Sequence, residues 1–309
     1  MFVRAQPCPQ CSREGHDGDA RSCKWCGAQS WARYPRAVIP VRILTIAALA
    51  LATTLASPVS ARDAGADGRF EQRRSTHFLL REDVAIDQRT GPSGSKRFER
   101  DVIAALEDGY DLLDDALGLR PRRRIEVEVY DPEIFEELFA GLFPFPAAGF
   151  YGGVIRVRGD VQLTPRLAST LHHELVHAAL DAAAPSLRLP AWLNEGLAEW
   201  FAARAAGRPA LGGHQSAVLA AAARRGALLP LDAISQPSLV HLAAQDAPLA
   251  YLQGTALVDA IVQRGGERAL ATLLAQLFRS GDLDRALRRT IGLDARELDS
   301  VAFARFGGG

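Results

Sequence analysis

Beyond residue 26 this 309-residue chain contains no cysteine, so nothing after that point is a disulfide scaffold. Lysine is nearly absent as well: two residues against 34 arginines. We read that imbalance as the codon bias of a GC-rich genome, not as an arginine-based binding surface. An excess of one charge is also missing, with 36 basic residues facing 36 acidic ones. No global positive field exists to hold nucleic acid, and no nucleic-acid partner is expected. Neither an internal repeat nor a collagen-like or fibrous bias is evident. What is present is a chain that is 48% hydrophobic and 23% charged, which excludes wholesale disorder and suits a length of about two domains.

The four cysteines are Cys8, Cys11, Cys23 and Cys26, two C-x2-C pairs separated by eleven polar, Gly/Asp-rich residues. Four thiolates at that spacing suit a tetrahedral structural Zn2+, so residues 1–30 read as a zinc-ribbon-like segment. Two disulfides are the alternative, and they would need a Cys8/Cys11-to-Cys23/Cys26 pairing because bridging Cys8 to Cys11 closes a strained, very small loop. The zinc reading places this end in a reducing compartment. Residues 1–42 carry 7 basic and 3 acidic residues, a weak signal for nucleic acid.

Residues 37–61 come next, and Ile43 to Ala61 is free of charge for 19 residues. As a helix that run is about 28 Å long, close to the roughly 30 Å of a bilayer core. Arg33, Arg36 and Arg42 precede it, which orients the N-terminal side to the cytoplasm. The expectation is a single-pass inner-membrane anchor with everything after residue 62 outside the cytoplasm. Val59-Ser60-Ala61 also fits a small-residue cleavage site, so the alternative is a signal peptide and a secreted or periplasmic product, with translation starting near Val38 or Val41.

The remainder reads as α+β. Residues 62–74 are charged and Gly-rich, a linker. Thr76–Ile86 is strand-like, Ser95–Leu117 repeats apolar residues at helical spacing, and Ile125–Tyr130 alternates as a half-buried strand. Asp131 caps a short helix from Pro132 to Phe143. Phe150–Val157 reads as a further strand whose Gly152-Gly153 permits a bulge or a close backbone approach. From Pro165 onward nearly every segment is helical. The expected domain is 75–309, with a core over 75–209 and a helical lobe over 210–309.

The chemistry-bearing residues cluster between 173 and 199. His173-Glu174-Leu175-Val176-His177 is an HExxH sequence on a helix over about Pro165–Leu180, with Leu167, Leu171, Leu175 and Ala178 as its buried stripe. Residues i and i+4 share a helix face, so both imidazoles can meet one metal ion. Glu174, rotated about 100°, is placed to polarise a metal-held water instead of binding the metal. With this composition, chance produces the pattern in roughly one such chain in a hundred. Pro190-Ala191-Trp192-Leu193-Asn194-Glu195-Gly196-Leu197-Ala198-Glu199-Trp200 then opens a new helix. Glu195, 18 positions after His177, can supply a third ligand and leave a fourth position open.

With these two motifs the sequence resembles the gluzincin zinc metallopeptidases, the thermolysin and aminopeptidase N group, and looks most like their bacterial peptidase MA-like branch. The likeness spans about residues 75–205. It implies a zincin-like fold, a catalytic Zn2+ on His173, His177 and Glu195, Glu174 as general base, and hydrolysis of a peptide or protein substrate. It also implies that the Phe150–Val157 strand is the edge on which an extended peptide is laid. Tyr251 matches best the later-helix donor that stabilises the oxyanion. The interval from His177 to Glu195 is one residue shorter than in the aminopeptidase group, and no GxMEN-type exopeptidase signature is present. A non-catalytic, membrane-anchored peptide-binding scaffold is the competing reading; retention of Glu174 speaks against it.

Other residues have plainer readings. His172 faces away from the His173/His177 stripe, toward solvent or an outer contact. Glu199 shares a helix face with Glu195 and reads equally as a support for a ligand imidazole or as a surface carboxylate. Asn194 reads as a local helix-start residue, and Trp192 and Trp200 as core.

Overall fold

The structure, a computed structural model, describes residues 70–139, 141–142, 147–160 and 162–307, and for residues 84–95 the backbone alone. The cysteine pairs, the 37–61 segment and the start of the linker lie outside the described residues. Among the described residues no helix is long and apolar enough to cross a membrane.

Five strands form one mixed sheet in the order β1-β2-β3-β5-β4. The first, β1 (Phe70–Arg74), pairs antiparallel with β2 (Phe78–Asp83). Residues 70–74 were expected in the linker. They pair because Phe70 buries its ring beneath Tyr130 while the charged residues beside it stay at the sheet edge. Helix α1 (Val84–Leu117) follows β2 directly, so the predicted strand ends three residues early and the predicted helix starts eleven residues early. Its chain returns through β3 (Ile125–Tyr130), parallel to β2. Ile125, Val127 and Val129 face the helices, while Glu126, Glu128 and Tyr130 occupy the opposite face, as period-two alternation requires.

Helix α2 (Pro132–Phe139) begins with Asp131 accepting the Glu133 amide at 2.9 Å, and it is shorter than predicted. The region expected as one strand over 150–157 is instead a hairpin of β4 (Gly149–Tyr151) and β5 (Ile155–Arg158). Gly153, at φ +86°, supplies the left-handed residue that the turn needs. The edge is therefore β4 alone, and β5 pairs parallel with β3.

The later chain is helical, as expected. Helix α3 (Pro165–Ala183) is capped by the Thr164 hydroxyl, which accepts the Leu167 amide at 3.2 Å. Helix α4 (Ala191–Ala205) follows a short turn. Then come α5 (Gly213–Arg224), α6 (Leu231–Ile234), α7 (Ala247–Gly265), α8 (Arg268–Ser280), α9 (Leu283–Ile291) and α10 (Ala295–Gly307). The main core runs from the helical face of the sheet through α1 and α3 into α4, α7 and α8. A small aromatic cluster of Phe70, Tyr130, Phe135 and Phe139 covers the other sheet face. Leu167, Leu171, Leu175 and Ala178 are all buried, so the opposite face of α3 is the one left to carry polar side chains.

Candidate metal centre

Three helices supply the polar cluster. His173 and His177 project from α3, Glu195 from the second turn of α4, and Tyr251 from the second turn of α7. His173 Nε2 and His177 Nε2 are 3.1 Å apart; Glu195 Oε2 lies 3.3 Å from the first and 3.5 Å from the second. Among the described residues these three form the one group of His, Cys, Asp or Glu side chains whose donor atoms could share a metal ion.

The donor set fits zinc on its own chemistry. Ligands about 2.0–2.1 Å from a tetrahedral ion stand roughly 3.3–3.4 Å from one another, which matches the observed separations. The opposite ring nitrogens are already engaged: His173 Nδ1 lies 3.2 Å from Glu199 Oε1, and His177 Nδ1 lies 3.2 Å from Asn194 Oδ1. In a neutral ring each of those oxygens accepts a hydrogen bond from Nδ1–H, which turns the Nε2 lone pair inward. Two such lone pairs facing each other at 3.1 Å repel unless a proton or a cation lies between them.

Local electrostatics follow from that crowding. Burial opposes charge on His173, but the Glu195 and Glu199 carboxylates more than offset it and raise its pKa well above the ordinary histidine value. His177 is raised too, with Glu195 outweighing burial. For Glu195, burial pushes upward, yet the two imidazoles hold its carboxyl below the usual carboxylate range. Glu174 is buried beside these three residues, and burial pushes its pKa up. Tyr251, raised by burial and by the nearby carboxylates, keeps its phenolic proton and hydrogen-bonds Glu195. Its ring lies 6.4 Å from that of His173.

The structure thus brings His173, Glu174, His177, Glu195 and Tyr251 together, while Cys8, Cys11, Cys23 and Cys26 lie outside the described residues. Glu199 contacts His173 and is not a free surface carboxylate. Asn194 reaches across to His177 instead of serving its own helix start, which Pro190 occupies without a side-chain cap. His172 is buried and bonds the Ala105 carbonyl at 2.9 Å, tying α3 to α1, so it meets neither solvent nor the cluster. Trp192 and Trp200 are core. Sequence reasoning missed the tie between Tyr151 on the edge strand and Asp181 on α3, a hydrogen bond of 2.9 Å. The signal available was Asp181 itself, one turn after His177 on the same helix.

No family model matches the chain, and no curated protein matches it. Among solved structures, an M1 zinc metallopeptidase mutant from Deinococcus radiodurans aligns with TM-score 0.43 and 13% identity, over 78% of this chain and 53% of that one. Two-domain M1 zinc metallopeptidase mutants bound to L-tryptophan and to L-arginine align with TM-scores of 0.41 and 0.39. Their identities are 15% and 14%, and each alignment covers 78% of this chain and 52% of theirs. The chain spans about half the length of the solved structures it matches.

Proposed function

We propose that this chain is a zinc-dependent peptidase of the gluzincin type, with a zincin-like fold. The observation that carries the reading is the convergence of His173 Nε2, His177 Nε2 and Glu195 Oε2 at separations suited to one tetrahedral ion, with a buried carboxylic acid beside them. His173, His177 and Glu195 would hold the zinc, which supplies Lewis acidity toward a peptide carbonyl and acidifies water. Glu174, whose proton affinity is raised by burial, accepts a proton from the attacking water and returns it to the leaving amine. Tyr251 keeps its proton across the physiological range, so it can donate a hydrogen bond to the oxygen on which negative charge develops.

The substrate lies in this reading along β4, the outermost strand on its side of the sheet. Gly149 packs against Thr170, just before His173, and Tyr151 bonds Asp181, just after His177. The edge strand therefore brackets the cluster along α3, and its outer side can align an extended peptide by main-chain pairing. The same reading extends to the N-terminal region on sequence grounds alone. Cys8, Cys11, Cys23 and Cys26 would bind a second, structural zinc. Residues 37–61 would anchor the chain in a bacterial inner membrane, or direct secretion with cleavage near Ala61, with the peptidase domain outside the cytoplasm.

The test is incubation of the full chain with β-casein, with and without a zinc chelator, alongside the Glu174→Gln variant. Chelator-sensitive cleavage, abolished in Glu174→Gln while zinc stays bound, is expected. Undiminished turnover in that variant overturns the role of Glu174, and stoichiometric casein binding without cleavage selects the non-catalytic scaffold.

A further inference from the structure

Helices α4 and α7 cross at a point where their backbones touch. A Cβ built on Gly196 would stand 2.3 Å from the Gly254 carbonyl oxygen, and one built on Gly254 would stand 2.6 Å from the Trp192 carbonyl oxygen. Both are below the 3.0 Å that real Cβ atoms respect, so neither position accepts even alanine unless the helices separate. The contact lies in the middle of the chemistry: Gly196 directly follows Glu195, and Gly254 lies one turn beyond Tyr251 on the same face of α7. Val258, one further turn along, presses on the same crossing, its Cγ2 2.9 Å from the Cβ that Gly196 lacks.

We propose that Gly254, closed against Gly196, is a positioning residue that sets the reach of the Tyr251 hydroxyl to the metal cluster. This deepens the peptidase reading and rests on it. Moving an alanine at Gly254 from 2.6 Å out to the 3.4 Å where ordinary contact begins takes about 0.8 Å of relative displacement between the helices. Glu195 and Tyr251 ride on opposite sides of that gap. A hydroxyl that stabilises charge only in the transition state loses its effect when displaced by about 1 Å, a misplacement that costs on the order of 100-fold in rate.

The experiment measures steady-state cleavage of β-casein by the full chain and by Gly254→Ala, each in the wild-type and Tyr251→Phe backgrounds, with bound zinc counted in all four. Gly254→Ala is expected to lower kcat about 100-fold with KM little changed and zinc retained. In the Tyr251→Phe background it should add almost nothing, because the group it displaces is already gone. A second variant, Val258→Ala, loosens the crossing without adding atoms and decides the matter if Gly254→Ala does not fold. It should lower kcat several-fold, again only when Tyr251 is present. An unchanged kcat, a loss equally large in the Tyr251→Phe background, or loss of zinc overturns the proposal while leaving the peptidase reading intact. Absence of chelator-sensitive cleavage by the wild type overturns the peptidase reading, and this inference with it.

Discussion

Two carboxylates in this fold sit in outwardly similar settings, one on the sheet and one among the helices. On the sheet, Glu128 is met by Arg81 at 3.3 Å, by Arg156 at 2.9 Å and by the Tyr130 hydroxyl at 2.8 Å. Among the helices, Glu195 is met by His173, His177 and the Tyr251 hydroxyl. Each is a carboxylate with two nitrogen bases and a phenol, and in each burial pushes the phenol upward, to about 12 for Tyr130. The difference is the base. Arginine keeps its charge at every accessible pH, so the Glu128 group is a permanent clamp across β2, β3 and β5. A histidine proton, unlike an arginine's, can be displaced, so the Glu195 group can exchange protons for a divalent ion. What separates a site from a strut here is the exchangeability of the charge, not its burial.

Changing one carboxylate at a time separates the two roles. In the proposed reading Glu195→Gln removes a direct ligand, so its cost in zinc affinity should exceed the roughly 100-fold at the upper end of what outer partners contribute. Cleavage of casein should disappear with the metal while the fold persists, as read by zinc content and circular dichroism. Glu128→Gln should do the reverse. It leaves two arginines and a phenol around a neutral amide, and because those arginine side chains are 22% and 23% exposed the cost falls to about 2–3 kcal/mol, below that of a fully buried pair. Urea unfolding would show the loss, with zinc content unchanged. Equal behaviour of the two variants would erase the distinction drawn between the two groups. A smaller effect is expected for Glu199→Ala, which frees the His173 ring to rotate and should weaken zinc by about 10–100-fold with little change in stability.

The parts of this arrangement legible in the sequence are those carried by helical period. HExxH with a flanking apolar stripe fixes α3 and the face its histidines share, and Glu195 behind Pro190 announces a second helix within reach. The hairpin of β4 and β5 was illegible as such, because Phe150, Ile155 and Val157 read as a single strand across two glycines that serve as a turn. Strand β1 was hidden by its charge: four of its five residues are polar, and only Phe70 is buried. The Gly196/Gly254 contact left a readable trace, since each glycine interrupts a helical pattern at a cost of about 1 kcal/mol relative to alanine and so hints at a close approach. Which two glycines meet is a property of helix packing, and no local pattern encodes it. The same holds for Asn194, whose partner lies on another helix, whereas the helix face that Glu199 shares with Glu195 already allowed it to support an imidazole, as it does for His173.

The pH dependence of the two groups sharpens the comparison further. In the chelated protein Glu195 titrates below its ordinary value, so its contribution to stability is present above that ordinary value and is lost only as pH falls through the lowered one. His173 and His177 titrate above theirs, so their contribution is full below the ordinary histidine value and is lost as pH rises through the raised ones. Both contributions coexist between about pH 5 and 6.5, and the chelated protein should lose stability as pH climbs beyond that window. Zinc must displace the imidazole protons, so its binding gains about 1.4 kcal/mol per pH unit for each proton released until the rings are neutral. Thermal unfolding with and without zinc, from about pH 5.5 to 8, should show a metal-induced rise in Tm that grows with pH. Glu128 touches none of the residues proposed to hold zinc, so Glu128→Gln should lower both curves and leave the metal-induced rise unchanged. A zinc effect that is flat with pH would mean that the imidazoles of α3 are not the groups that exchange.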